Sequence, residues 1–159
     1  MNNNKMITLG VLVLALIVAA VLYFNMQNNK KDVAMNTNVP EKTKEIVKTD
    51  VETNKSPEKF PTDIPIESGA TITQNYNATA PDGRFQATRA FTSKKTLGEN
   101  YALYKEWMNS NGWTIASSVD QPTYKMVSGT KGKQTLQASI SENSSTKEVT
   151  VTLSLTILP

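Results

Sequence analysis

From Met6 to Phe24 the chain reads MITLGVLVLALIVAAVLYF, without a single charge. As an α-helix rising 1.5 Å per residue this run reaches about 28 Å, close to the roughly 30 Å of a bilayer's hydrocarbon core. It is apolar on every side, whereas a helix packed on a protein core keeps a polar stripe. Tyr23 and Phe24 close the run, and the polar stretch from Asn25 to Lys31 follows, the pattern of an aromatic belt meeting water. Val18, Ala19 and Ala20 are small enough for a cleavage site, but Val21 to Phe24 stay apolar where such a site turns polar. The expectation is an uncleaved signal anchor: a short polar N-terminus over 1–5, then one transmembrane helix over 6–24 held in the lipid bilayer. No acid interrupts the run as it does in pilins, and no Cys is present for a lipoprotein's acyl chain. Lys5 on one side faces Lys30 and Lys31 on the other, so the positive-inside rule leaves orientation open. Because the anchor opens the chain as a secretion signal does, the remainder is expected outside the cytoplasm, attached to the cell membrane.

From 25 to 59 the chain mixes Lys and Glu with Asn, Thr and Pro and has only isolated apolar residues. Such a composition buries too little apolar area to offset chain entropy, so this segment reads as a disordered polar linker. The folded domain is then expected over 60–159, as one small core.

That domain opens with Phe60-Pro61-Thr62-Asp63-Ile64-Pro65-Ile66, where two prolines hold the backbone extended and Phe60, Ile64 and Ile66 are free to pack. Strand-like runs over 70–77 and 84–91 flank a turn built on Pro81, Asp82 and Gly83. Thr96 to Glu99 form a capping box, and Leu97, Tyr101, Tyr104 and Met108 recur at helical spacing, widened by Leu103 and Trp107. Asn111 and Gly112 supply the stop. Four more strands are predicted over 113–119, 124–128, 134–141 and 148–158. The last alternates Val149, Val151, Leu153, Leu155 and Ile157 with Thr150, Thr152, Ser154 and Thr156, giving one core face and one wet face. The fold class is therefore α+β: an antiparallel sheet with one packed helix, in the order ββαββββ.

Composition removes most catalytic machinery. No His means no ordinary general base near neutral pH, and no Cys means no thiolate nucleophile or thiolate metal site. The net charge of +3 comes from Lys+Arg 17 against Asp+Glu 14, scattered along the chain, so no nucleic-acid platform is formed. Ser128-Gly129-Thr130-Lys131 spells S-x-x-K, but in a glycine-rich hairpin rather than at a helix start. Gly129, Gly132 and Lys133 fall short of a phosphate loop, since Val127 and Gln134 stand where its flanking residues belong. Asp63, Glu67 and Asp82 lack calcium-loop spacing, Glu99 is used by the capping box, and Glu106 is on an exposed helical position. Asn54, Asn77 and Asn143 begin N-x-[ST], which matters only in a eukaryotic secretory route. No enzyme activity, cofactor or metal is expected.

Two features remain. Arg89 is in register with Phe85, Ala87 and Phe91 on the inward face, so it is expected to snorkel past the sheet edge, to meet an acid such as Glu99 or Glu106, or to clamp a ligand carboxylate. Tyr101, Tyr104, Trp107, Trp113 and Tyr124 either fill the core or, with Arg89, line a binding groove.

The opening Phe60-Pro61-Thr62-Asp63-Ile64-Pro65 with Gly69-Ala70, and the junction from Tyr104 to Asn111-Gly112-Trp113, resemble those of small bacterial domains that are membrane-anchored or secreted. The resemblance spans 60–159 and rests on structural motifs. It implies a bacterial, extracytoplasmic α+β domain and carries no activity. Three functions follow as expectations. The first is a membrane-tethered noncatalytic envelope module that offers its polar sheet face, or an unpaired strand edge, to an envelope protein. The second is a small-ligand or glycan sensor using the aromatic groove, and the third a hydrolase working with two carboxylates.

Overall fold

The computed structural model describes residues 45–159, so the segment 6–24 and the linker residues 25–44 lie outside it. Among the described residues no helix is long and apolar enough to cross a membrane. In chain order the elements are β1 (Val47–Asp50), β2 (Thr71–Thr79), β3 (Phe85–Ser93), α1 (Leu97–Ser110), β4 (Thr114–Gln121), β5 (Tyr124–Lys131), β6 (Gln134–Glu142) and β7 (Val149–Ile157). The strands form one antiparallel sheet in the order β1-β2-β3-β7-β6-β5-β4. The expected helix and six strands are thus present in the expected order. A short seventh strand, β1, precedes them.

Strand β7 is the middle strand, and its inward residues are all large and aliphatic. Val151, Leu153 and Leu155 are fully buried, and the register sets them beside Phe91, Arg89 and Ala87 on one side and Ile140, Ala138 and Leu136 on the other. Helix α1 covers the β4–β5–β6 part of this inner face through Leu97, Tyr104 and Met108. Gly129 in β5 lets it come close: an added Cβ there would stand 3.1 Å from the Trp113 Cβ and 3.3 Å from the Met108 Sδ. The helix starts on the expected capping box, with the Glu99 N–H donating to Thr96 Oγ1 at 3.2 Å and the Thr96 N–H to Glu99 Oε2 at 2.8 Å. It ends where Gly112 turns to φ 73 and the Trp113 N–H donates back to the Met108 carbonyl at 3.0 Å. Asn100, a polar residue at a core position, is buried because its amide donates to the Lys95 and Thr96 carbonyls and to Ser93 Oγ.

One helix is too narrow for seven strands, so a second cover is needed over β2 and β3. It is the extended stretch from Val51 to Ile66. Pro57, Phe60 and Ile64 in it are buried, and two polar side chains rising from the inner face hold its backbone. The Asn75 amide donates to the carbonyls of Glu52 (2.7 Å), Lys55 (2.9 Å) and Val51 (3.3 Å). Its cross-strand neighbour Arg89 donates to the carbonyls of Thr53 (3.0 Å) and Lys55 (3.1 Å) and to Ser56 Oγ (3.3 Å). Further along, the Tyr104 hydroxyl donates to the Pro65 carbonyl at 2.7 Å. Glu67 accepts from Ser93 Oγ at 2.7 Å and from the Lys94 N–H at 3.0 Å, and these bonds, the hydroxyl's first, draw its pKa below the usual carboxylate value.

Two sequence expectations are corrected here. The linker expected to run to 59 is ordered over 45–59: β1 pairs with β2 and the stretch after it covers the core. Its low apolar content concealed this, because peptide carbonyls rather than apolar side chains fasten it. Arg89, for the same reason, meets neither Glu99 nor Glu106. Backbone carbonyls offered by the strap accept from the guanidinium's two terminal nitrogens, its Nε is buried without a partner among the described residues, and burial lowers its pKa.

Replacing Asn75 by Ala removes a donor shared by three part-buried carbonyls, of which that of Lys55 keeps its bond from Arg89, at a cost of about 2 kcal/mol. Urea unfolding of the Asn75→Ala variant should show a lower midpoint of that size with an unchanged slope; an unchanged midpoint would mean the strap is held by apolar contact alone.

Candidate functional site

The residues singled out for an aromatic groove do not come together. Tyr104 is buried in the core with its hydroxyl on Pro65, and burial raises that hydroxyl's pKa. Trp113 is buried beside it in the core cluster, and Tyr101 is half-buried against that cluster, near Lys105 and Lys125. Arg89 is under the strap. Tyr124 is paired with Ser141 in a register that turns it to the opposite side of the sheet. Only Trp107 and Trp113 meet, with ring centroids 6.4 Å apart, at a shallow depression of about 230 Å³ that Lys59, Asp63, Lys131 and Gln134 also line.

The other motifs dissolve into structure. Ser128 and Lys131 are three apart in a strand, so their side chains leave on opposite faces, and the Lys131 ammonium donates to the Asn111 carbonyl. Asp82 pairs with Arg84 across the β2–β3 turn, and the Arg84 N–H and guanidinium together lower its pKa. Glu99 is held low in the same way by the Thr96 N–H and hydroxyl. Among the described residues no group of three or more acidic side chains gathers as a metal site would require.

What the register does assemble is the outer face of the sheet. Across β2, β3, β7, β6, β5 and β4 it aligns four rows of outward residues. One row runs Thr71, Thr92, Thr150, Ser141, Tyr124, Gln121. The next runs Gln74, Ala90, Thr152, Ser139, Met126, Val119. The third is Tyr76, Thr88, Ser154, Gln137, Ser128, Ser117, and the fourth Ala78, Gln86, Thr156, Thr135, Thr130, Thr114. None of these residues is Asp, Glu, Lys or Arg, although 19% of the chain is charged. Nearly all carry a hydroxyl or an amide. A solvated sheet face ordinarily carries lysines and glutamates, and loss of charge from a surface is the compositional mark of a contact region. Lys48 and Asp50 on β1 are the charges at its margin, and Lys48 is over the Tyr76 ring at 4.6 Å.

Few of the polar groups consume one another. Thr88 Oγ1 and Ser154 Oγ are 3.3 Å apart, the Gln86 amide donates to Thr88, and the Gln137 amide and the Tyr124 hydroxyl both donate to Ser139 Oγ. Thr92, Thr135, Thr150, Thr152 and Thr156 make no side-chain hydrogen bond to another described residue, and their hydroxyls are each free to donate and accept. The rows belong to strands paired on both sides, except at β4, so the hydroxyls are held at fixed spacing. β4 is itself an open edge of eight residues with a register shift between Ile115 and Ser117 and one charge, Asp120.

The sequence showed the alternation in β7 that begins this face. It did not show the face, because absence of charge over six strands becomes visible only when the register aligns them. Comparison with known proteins finds no matching family model, no similar curated protein and no similar solved structure.

Proposed function

We propose that this chain is a noncatalytic binding module, tethered to the cell membrane by residues 6–24 and displayed outside the cytoplasm, that meets an envelope partner through its uncharged outer sheet face. The observation that carries this reading is that the outer rows of β2, β3, β7, β6, β5 and β4 hold no charged residue, the outward charges Lys48 and Asp50 being confined to the edge strand β1. Catalysis has no support in the geometry: the acids with lowered pKa are engaged with a cap, a turn and a strap. A second reading is strand addition by a protein at β4, favoured by its eight-residue unpaired edge, while the opposite edge strand has only four.

A photoreactive amino acid placed at Thr152 or Gln137 of the full chain, irradiated in its native membrane, is expected to form adducts that the same residue at Glu106 on α1 does not. Adducts from Ala116 in β4 alone would identify strand addition instead, and adducts only from Glu106 would contradict both. For the location, trypsin added to intact cells, or to spheroplasts where an outer membrane intervenes, should release the domain by cutting near Lys30 and Lys31. Protection until lysis would place the domain on the cytoplasmic side.

A further inference from the structure

The chemistry of the outer face narrows its partner, and the inference rests on the binding-face reading above. We infer that the face docks an uncharged, polyhydroxylated polymer, a neutral glycan chain laid across β3, β7, β6 and β5.

Three physical arguments lead there. The first is charge. An ionic ligand brought onto β3, β7, β6 and β5 would lose hydration and find no opposite charge among the four rows. A neutral sugar loses only hydroxyl hydration, and side-chain hydroxyls and amides that both donate and accept can replace it group for group. The second is the kind of side chain. Ser and Thr are poor anchors for a protein partner, whose affinity is concentrated in buried Trp, Tyr and Arg. Repeated hydroxyls at fixed spacing instead suit a ligand that itself repeats hydroxyls, where many weak contacts add and the protein has little rotamer entropy to lose.

The third is shape. At about 4.8 Å between strands and about 6.8 Å between alternate residues, the four rows cover roughly 24 Å by 20 Å, room for an extended oligosaccharide. Tyr124 lies along this surface rather than standing off it, since its hydroxyl reaches diagonally to Ser139 Oγ, and it is only half-buried, leaving ring area for the apolar side of a sugar. The Trp107–Trp113 depression is on the other side of the sheet and takes no part.

The test is amide NMR of the ¹⁵N-labelled full chain in detergent, titrated with two neutral probes, cellohexaose and chitohexaose, and one charged probe of equal length, hexagalacturonate. At least one neutral probe should shift amides of β3, β7, β6 and β5, with the same affinity at low and physiological salt. Hexagalacturonate should shift none at equal concentration. Tyr124→Ala should weaken binding about three- to tenfold, and Thr152→Lys should weaken it at least about tenfold while leaving the amide spectrum otherwise unchanged. Tighter, salt-sensitive binding of hexagalacturonate would overturn the inference, as would shifts confined to the Trp107–Trp113 depression. Silence from both neutral probes while Thr152 captures a protein in the membrane sinks the glycan inference and leaves the binding-face reading standing. Capture of the chain's own residues 25–44 at Thr152 sinks both.

Discussion

Everything in this domain depends on how a seven-stranded sheet keeps water from its one apolar face. A single helix of fourteen residues reaches across β4, β5 and β6 and no further. The β2–β3 side is closed by an extended strap that gives Phe60 and Ile64 to the core but is mostly polar before them, where it is fastened through its backbone. Asn75 and Arg89 do this from the sheet. Both are polar residues on the core face, and both would be expensive there without partners. The strap's carbonyls, which need donors as much as the Asn75 amide nitrogen and the terminal nitrogens of Arg89 need acceptors, meet that need, while Asn75 Oδ1 and Arg89 Nε stay buried without partners among the described residues.

This arrangement settles the character of the other face. With helix and strap on one side, all elements in the described residues that could cover the sheet are used there. The charges of the described residues avoid the outer rows of β2 to β7: they occupy the turns, α1, the strap, the edge strand β1 and, as Arg89 and Lys125 do, the inner face. The outer rows keep hydroxyls and amides instead. A strand rich in Thr is favourable for local reasons, since β-branched residues fit the pleat. Local preference alone does not keep Lys and Glu off the outer side of six strands, and neither solubility nor protection against edge-to-edge pairing is served by their absence there.

Much of the fold could be read from the residues. The capping box at Thr96 and Glu99, the Asn111-Gly112 stop and the alternation from Val149 to Ile157 are local signals, each set by a few neighbouring side chains, and each appears where expected. The strap and β1 were hidden because their role depends on contacts twenty to thirty-six residues away. Composition described 45–59 as polar, and it is; what composition omits is that Asn75 and Arg89 would need those carbonyls. The aromatic residues were misleading in a related way. Tyr101, Tyr104, Trp107 and Trp113 share a helix or its exit and fill one side, while Tyr124, two strand reversals from the candidate groove in register terms, faces the other. Parity within a strand decides that, and parity is easily lost to the eye when five aromatic residues are weighed together.

The central claim is that the outer face is open in the isolated protein and covered in the cell. Hydroxyl-radical footprinting of the full chain, read by mass spectrometry, compares those two states directly. Met126 and Tyr124 report the outer face, and Met108 and Tyr104, both buried against the inner face, serve as internal references. Met126 and Tyr124 are expected to be oxidised in the purified protein and protected in the native membrane, with Met108 and Tyr104 slow in both. Equal oxidation of Met126 and Tyr124 in the two preparations would contradict it.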